Sequence, residues 1–281
     1  MSHILRTRAD LREALAGRPR PVGLVPTMGW LHAGHRALMQ RARAENATTV
    51  VTIFVNPRQF EDDSDYTRYP RDIAADLAIC DEEGVDIIWL PDVSEVYPAG
   101  FDTTVSVGAV AVPLEGAARP GHFDGVATVV AILFALVGAE RAYFGQKDAQ
   151  QVEVISRMAA DLALPTSVIP CPTVREPDGL ALSSRNVHLS AEERRAAPVL
   201  WRALTAARQA WLAGERDAEA LRGLMLETLA AEPLARVEYV SCADAATLRE
   251  LQRVDGPALL SLAVRLGTTR LIDNTRLGSE E

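Results

Sequence analysis

Cysteine is scarce: Cys80, Cys171 and Cys242 are odd in number and far apart, which leaves no disulfide framework and no cysteine metal spacing. They fit a reduced, cytoplasmic compartment. Positive charge is also short, with 29 Lys and Arg against 38 Asp and Glu and a formal net charge of −9. Phosphate backbones are bound through clustered Lys and Arg, so this balance argues against a general nucleic-acid surface. An anionic ligand must be held by locally placed positive groups. No apolar run is long enough to span a bilayer; the longest, residues 126–138, reads as a buried helix. The opening Met1-Ser2-His3-Ile4-Leu5-Arg6 lacks an apolar signal core, so neither a secretory leader nor a membrane partner is expected. Two nucleotide fingerprints are missing as well. No Gly-x-Gly-x-x-Gly follows the first strand, and no Gly-Lys-Ser/Thr phosphate loop occurs anywhere.

What is present is ordinary globular composition, 48% hydrophobic and 24% charged, on a chain long enough for two domains. A weak helical pattern over 7–16 stops at Gly17 and the Pro19/Pro21 pair. Apolar, β-branched runs predict strands at 22–25 (ending at Pro26), 48–55, 86–90, 141–144 and 166–170. Helical segments fall between them, at 36–45, from Arg71 to about Glu83, over 126–138 and after Gly145. Such alternation predicts an α/β fold, a doubly wound parallel sheet. Residues 61–66 are acidic and expected to be exposed, and 92–121 form a Pro- and Gly-rich excursion with one strand-like run at 103–107. From Ser190 the composition changes. Ser190 and Glu193 form a capping box, and helical periodicity runs to about Ala213 and again over 217–231. Strand-like runs at 236–241 and 258–266 flank a short helical stretch near 244–251. Alternation is lost there, so the chain is divided into a domain over 1–173 and a smaller C-terminal α+β lid domain over 174–281.

The stretch that organises the chain is Pro26-Thr27-Met28-Gly29-Trp30-Leu31-His32-Ala33-Gly34-His35. It joins a buried strand to a helix and places both histidines at the first helical turn. Unpaired backbone N–H groups and the positive end of the helix dipole make such a turn an anion site, and Gly34 permits close approach. Neutral imidazoles there donate hydrogen bonds to phosphate oxygens. A polar loop and a zinc pair are the other readings; helical zinc histidines usually stand at i, i+4, with a further ligand.

Other polar loops fall at strand ends, the edge where open parallel sheets bind ligands. Asn56 and Gln59 follow the 48–55 run as candidate polar contacts; an Asn-Pro turn is the plain alternative. Asp72 and Asp76 suit either a magnesium role or a solvated helix face. Lys147, after the 141–144 run, is placed to pair with phosphate, with Asp148 at the helix start and Gln151 facing the same crevice; an exposed Lys-Asp pair is the alternative. Residues 174–186 have the look of a mobile loop, with a Pro-Asp-Gly turn and then Ser183, Ser184 and Arg185, whose hydroxyls and guanidinium suit a leaving polyphosphate. No protein nucleophile is needed, because a substrate carboxylate can attack the α-phosphorus while pyrophosphate leaves.

Residues 26–35, 54–60, 119–126, 144–151 and 172–186, in that order and spacing, resemble the pantothenate synthetase (pantoate–β-alanine ligase) family. The likeness runs on to Leu266-Gly267-Thr268-Thr269-Arg270-Leu271-Ile272-Asp273-Asn274. The resemblance implies a Rossmann-like nucleotidyltransferase fold with a His-x-Gly-His signature. It implies an ATP site made of Met28, Gly29, Trp30, Leu31, His32, Ala33, Gly34, His35, Gly145, Gln146, Lys147, Asp148, Val174, Leu182, Ser183, Ser184 and Arg185. Gln59 and Gln151 match the residues that grip pantoate, and Gln59 also lies where β-alanine enters. Catalytic roles fall on His35, His32, Lys147, Ser183, Ser184 and Arg185, with His35 matching the assigned proton donor. A histidine at a helix start disfavours its charged form, so a neutral hydrogen-bond donor is expected there more than a proton transfer. The implied reaction joins pantoate to β-alanine through a pantoyl-adenylate, with Mg2+ accompanying ATP, in a cytoplasmic homodimer.

Two positions depart from the family pattern. Leu182 stands where Met is common, a swap of similar volume, and Trp30 is bulkier than usual for the turn. Two rival functions remain at this level. A related nucleotidyltransferase acting on a phosphorylated alcohol needs basic substrate contacts, where this chain offers Gln59 and Gln151. A non-catalytic nucleotide sensor or RNA-binding relative is disfavoured by the acidic balance and by the lack of a basic appendage.

Overall fold

A computed structural model of the chain describes residues 2–60 and 63–278. The acidic stretch expected to be exposed lies outside the described residues at 61 and 62 and at the side chains of 63–65; Tyr66 is half-buried. The chain divides into two compact units. One comprises Met1–Gln146 with Gln150–Cys171, the other Lys147–Ala149 with Pro172–Glu281.

The first unit is built on a parallel sheet of six strands, β1 His3–Leu5, β2 Val22–Thr27, β3 Thr48–Ile53, β4 Ile87–Trp89, β5 Arg141–Gly145 and β6 Ser167–Cys171. Their order is β1-β4-β3-β2-β5-β6, as in a doubly wound α/β fold. All six residues of β3, Thr-Thr-Val-Val-Thr-Ile, are buried. Both faces are therefore covered. Val25, Val51 and Ile88 join Leu38, Met39 and Ala42 of helix Ala33–Glu45 in one cluster, while the alternate residues Leu24, Val50 and Ile87 are just as buried on the opposite face. Strand β2 continues through Pro26 to Thr27, one residue past its expected end. Its pairing with β5 stops at Leu24, so the N–H that proline lacks falls where one flank of β2 is already open.

The second unit carries an antiparallel sheet, β7 Ala235–Asp244, β8 Ala258–Leu266 and β9 Thr269–Leu277, in the order β7-β8-β9. Helices Val199–Leu212 and Ala218–Ala230 pack on it through Leu200 and Leu204, four apart on one helical face, and through Leu221 and Leu229, against Leu260, Leu262 and Val264. The capping box forms as expected: Ser190 Oγ accepts from Glu193 N–H at 3.2 Å, and Ser190 N–H donates to Glu193 Oε2 at 2.7 Å. The helical periodicity expected as far as Ala213 is interrupted. Helix Ala191–Ala196 ends before Pro198, and a second helix starts at Val199, because proline has no N–H for the preceding turn.

Two expectations differ from the structure, and two strands come in addition. The run 103–107 is not a strand: Val105 N–H, a donor that a ladder would use, goes to Thr128 Oγ1 of helix His122–Val137, and the Ser106 hydroxyl donates to Asp124 Oδ1 of the same helix. The helical stretch at 244–251 is a single turn. Asp244 Oδ1 caps it through Ala246 N–H and Thr247 N–H, Leu248 then enters the left-handed region at φ 56°, and Glu250 bridges back to Ala243. Strands β1 and β9 carry no periodic signal in the sequence, and the structure adds them.

Candidate active site

In the first unit the chain leaves β2 at Thr27, whose Oγ1 donates to the Thr52 carbonyl at 2.7 Å and accepts from Gly29 N–H at 3.2 Å. Gly29 (φ 82°) and Trp30 (φ 53°) are then both left-handed, a conformation that disfavours a bulky side chain at the second position. A buried carboxylate holds it. Asp76, 2% exposed on helix Ile73–Glu82, accepts from Trp30 N–H at 3.0 Å and from Leu31 N–H at 2.7 Å. A Cβ on residue 29 would lie 2.7 Å from Asp76 Oδ2, so only glycine fits. Burial lifts the Asp76 carboxyl above its ordinary value, with the two backbone donors opposing.

This corrects two expectations. The backbone donors of Gly29, Trp30 and Leu31 are not open to an anion, because Thr27 and Asp76 already accept them. Nor is Asp76 on a solvated helix face; both its oxygens serve the turn, and Asp72 caps the same helix through Ala75 N–H at 3.0 Å.

Helix Ala33–Glu45 begins with a capping box in which imidazole nitrogens replace the usual oxygens. His32 Nδ1 accepts from Gly34 N–H at 3.1 Å, and His35 Nδ1 accepts from His32 N–H at 3.3 Å. Backbone N–H groups only donate, so each Nδ1 must be bare and each neutral ring carries its proton on Nε2. The rings stand 4.1 Å apart. Two neutral N–H donors at the start of a 13-residue helix suit an anion without adding charge.

Beyond β3, Asn56 caps the short 3-10 helix Pro57–Gln59. Expected as a ligand contact, it is instead buried with its amide engaged. Its Oδ1 accepts from Arg58 N–H and the Tyr97 hydroxyl, and its Nδ2 donates to the Gly125 carbonyl and to Gln59 Oε1 at 3.1 Å. Gln59 Nε2 lies 3.1 Å from Met28 Sδ, so the structure brings the histidine turn and this glutamine together. The Gln59 carbonyl accepts from His122 Nδ1 at 2.9 Å and Arg119 Nη2 at 3.2 Å, and a Cβ on residue 125 would run into the Arg58 carbonyl.

Gly145 ends β5, and Gln146 opens the 3-10 turn Gln146–Asp148. Gln151 lies half-buried in the first turn of helix Ala149–Asp161. Its neighbour Gln150 is structural: it is buried and bonded to Glu115 N–H, the Val110 carbonyl and the Pro113 carbonyl.

In the second unit Lys147 Nζ lies 3.5 Å from Asp148 Oδ1, and the Lys147 carbonyl accepts from Asn274 Nδ2 at 2.8 Å. The lysine side chain is mostly buried, unlike the exposed pair considered from sequence. Residues 174–182 form a tight hairpin. Leu182 N–H reaches the Val174 carbonyl, Glu176 N–H the Leu180 carbonyl, and the Pro177-Asp178-Gly179 turn holds Gly179 at φ 93°. Arg175 anchors the hairpin through Asp273 Oδ2 at 2.6 Å and Oδ1 at 2.9 Å, with its guanidinium 3.6 Å from the centre of the Trp201 ring. Burial raises the Asp273 carboxyl, and Arg175 opposes. Ser183 then caps the 3-10 helix Ser184–His188, accepting from Arg185 N–H at 3.3 Å; Leu182, Ser183, Ser184 and Arg185 are all half-buried. Sequence reasoning singles out Asp76 but for a different role, and it assigns no role to Arg175, Asp273 or Asn274. The one signal for the last two is their place at the end of the Leu266–Asn274 stretch that carries the family likeness.

A parallel α/β sheet whose strand-to-helix turn sets two neutral imidazole donors at a helix start defines a protein built to handle phosphate groups. The chain belongs to the pantoate-beta-alanine ligase family, whose sequence profile matches residues 3–276. It is 60% identical over 271 residues to a pantothenate synthetase of Roseiflexus sp., covering 96% of this chain and 98% of that one. Among solved structures it is similar to pantothenate synthetase from Thermus thermophilus, with TM-score 0.94 and 49% identity over 99% of this chain and 100% of that one. The pantoate-beta-alanine ligase of Francisella tularensis, solved with a β,γ-ATP ligand and β-alanine, aligns with TM-score 0.81 and 32% identity over 98% and 97% of the two chains.

Proposed function

We propose that this chain catalyses the ATP-dependent condensation of pantoate with β-alanine to pantothenate. In the first half-reaction a pantoate carboxylate oxygen attacks the α-phosphorus of ATP, forming pantoyl-adenylate as the bond to pyrophosphate breaks. In the second the β-alanine amine attacks the acyl carbon, the amide forms, and AMP leaves. The observation that carries this reading is the pair of Nδ1 acceptors at His32 and His35. With the proton fixed on Nε2, both rings donate to phosphate oxygens as charge builds in the transition state. Neither has to give its proton up.

Met28, Gly29, Trp30, Leu31, Ala33, Gly34, Gly145 and Gln146 line the nucleotide in the first unit. Lys147, Asp148, Val174, Leu182, Ser183, Ser184 and Arg185 serve it in the second, the cations and hydroxyls neutralising pyrophosphate as it departs. Gln59 and Gln151 hold pantoate through its hydroxyls, and Gln59 also meets β-alanine; the bonds from Arg119 and His122 to the Gln59 carbonyl fix that loop. Among the described residues no group of three His, Cys, Asp or Glu side chains could hold a metal; Mg2+ that accompanies ATP would be carried mainly by phosphate oxygens and water. Bound there, the ion would neutralise phosphate charge. No helix among the described residues is long and apolar enough to cross a membrane. A cytoplasmic homodimer belongs to the proposal on the family resemblance.

The test is a two-stage assay. Protein with ATP, Mg2+ and pantoate should release pyrophosphate only when pantoate is present, and adding β-alanine should then yield pantothenate and AMP by mass analysis. Pyrophosphate release with a different acid or alcohol, and none with pantoate, would overturn the substrate assignment.

A further inference from the structure

The second unit contains a polar network that the reaction scheme above does not use. Asp273 and Asn274, 3% and 5% exposed, sit in the middle of β9, where strand interiors rarely carry such residues. Arg175 binds both Asp273 oxygens and also reaches the Asn274 carbonyl at 3.3 Å and the Gly179 carbonyl at 3.1 Å. Asn274 N–H donates to Asp273 Oδ1 at 2.8 Å, and Asn274 Nδ2 donates to the Lys147 carbonyl at 2.8 Å. One dipeptide thus touches two segments that are 28 residues apart in the chain, Lys147 and Arg175. The first segment carries a phosphate cation. The second begins the hairpin that delivers Ser183, Ser184 and Arg185.

We propose that Asp273 and Asn274 are positioning residues for the adenylation half-reaction, fixing the Lys147 backbone and the Arg175 hairpin in one register so that ammonium, hydroxyls and guanidinium act on the same polyphosphate. This rests on the function proposed above. Lysine has a long flexible stem and reaches a defined point only if its backbone is fixed; Asn274 Nδ2 supplies that constraint. Asp273 neutralises Arg175, which keeps a second guanidinium from competing for the anion. Arg175 is directed inward, towards the carboxylate and the Trp201 face.

The prediction separates the half-reactions. Asn274→Ala removes the donor to the Lys147 carbonyl, and Asn274→Asp keeps the shape but can only accept there. Both should slow pantoate-dependent pyrophosphate release by about 10- to 100-fold in kcat, the scale of a small misplacement of a reacting group. Consumption of supplied pantoyl-adenylate by β-alanine, which needs no pyrophosphate handling, should stay within about twofold, with KM for pantoate unchanged. Normal pyrophosphate release in both variants would overturn the proposal. So would equal losses in both half-reactions that track a lowered melting temperature, since that pattern marks a merely structural role. If the unaltered protein releases no pyrophosphate with pantoate, the function and this inference fall together; if it does and the variants match it, only this inference falls.

Discussion

The histidine turn of the first unit and the 174–186 loop of the second are both assigned to phosphate, yet they are held by opposite means. The turn is fixed by a single buried carboxylate that accepts neutral backbone donors, Trp30 N–H and Leu31 N–H. The loop is fixed by a full ion pair, Arg175 with Asp273, stacked on Trp201. In the turn, strain at the left-handed Trp30 is offset by hydrogen bonds, so shape is what would be lost on mutation. In the loop, a desolvated charge is stabilised by its counter-charge, so removing one partner leaves the other stranded.

The largest effect expected from this contrast is Arg175→Ala, which leaves Asp273 buried and uncompensated and should destabilise the protein by about 3–5 kcal/mol in chemical denaturation. Replacing both partners, Arg175→Leu with Asp273→Leu, should recover part of that loss. A double variant as unstable as the single one would mean that hydrogen bonds to Gly179 and Asn274, and not charge, hold the loop. Next comes His35→Ala, which removes a donor at the helix start and should lower pyrophosphate release by about 10²- to 10³-fold, with circular dichroism unchanged. Near-normal adenylation would sink the role given to that ring. Asp76→Asn keeps the shape but offers one acceptor where two N–H groups converge. It should cost about 1–3 kcal/mol and raise KM for ATP, with little effect on the β-alanine step. If the affinity for ATP is untouched, the carboxylate supports the fold and not the turn.

The smallest effect is in pH dependence, where Asp76 and Asp178 should slope in opposite directions. Asp76 has a native value above its ordinary 3.8, so the native state binds that proton more tightly than the unfolded chain does. Its contribution to stability therefore grows as pH falls from neutral through the raised value and levels off below 3.8. Asp178 is held below 3.8 by its bond from Arg194; its contribution is full above 3.8 and is lost as pH falls through the lowered value. Denaturation of the protein, Asp76→Asn and Asp178→Asn between about pH 7 and pH 3 should show the two differences moving apart. Parallel slopes would erase the contrast.

Much of the first unit is legible in the sequence because periodicity and burial agree there. The unbroken β-branched run of β3 can be read directly, as can the Ser190–Glu193 box of the second unit, and the histidines fall at the helix start because Gly and Pro punctuate the turn. Legibility fails where a side chain takes over a backbone role. The 103–107 run has strand composition but gives its N–H to Thr128 Oγ1. The 244–251 segment opens with a good cap but stops at a left-handed Leu248, which no propensity signals. Strand β9 is hidden by Asp273 and Asn274, which discourage a strand unless an arginine 98 residues earlier in the chain accepts the burden of burying them. Asp76 misleads for the same reason. One carboxylate in a helix that also carries Asp81 and Glu82 looks solvated, and its partners, Trp30 N–H and Leu31 N–H, are backbone groups that carry no sequence signature.

The membership of Lys147–Ala149 in the second unit has a consequence for how this chain can be cut and recombined. A segment starting at Pro172 is contiguous in sequence but lacks the three residues that cluster with it, so the second unit is not a cassette. A chimera that exchanges only residues 172–281 between relatives would bring in a foreign donor for the Lys147 carbonyl. Grafts that also carry residues 147–149 should retain activity better than grafts that do not. The unit of exchange would then be set by the contact between Lys147 and Asn274, not by the linear order of the gene.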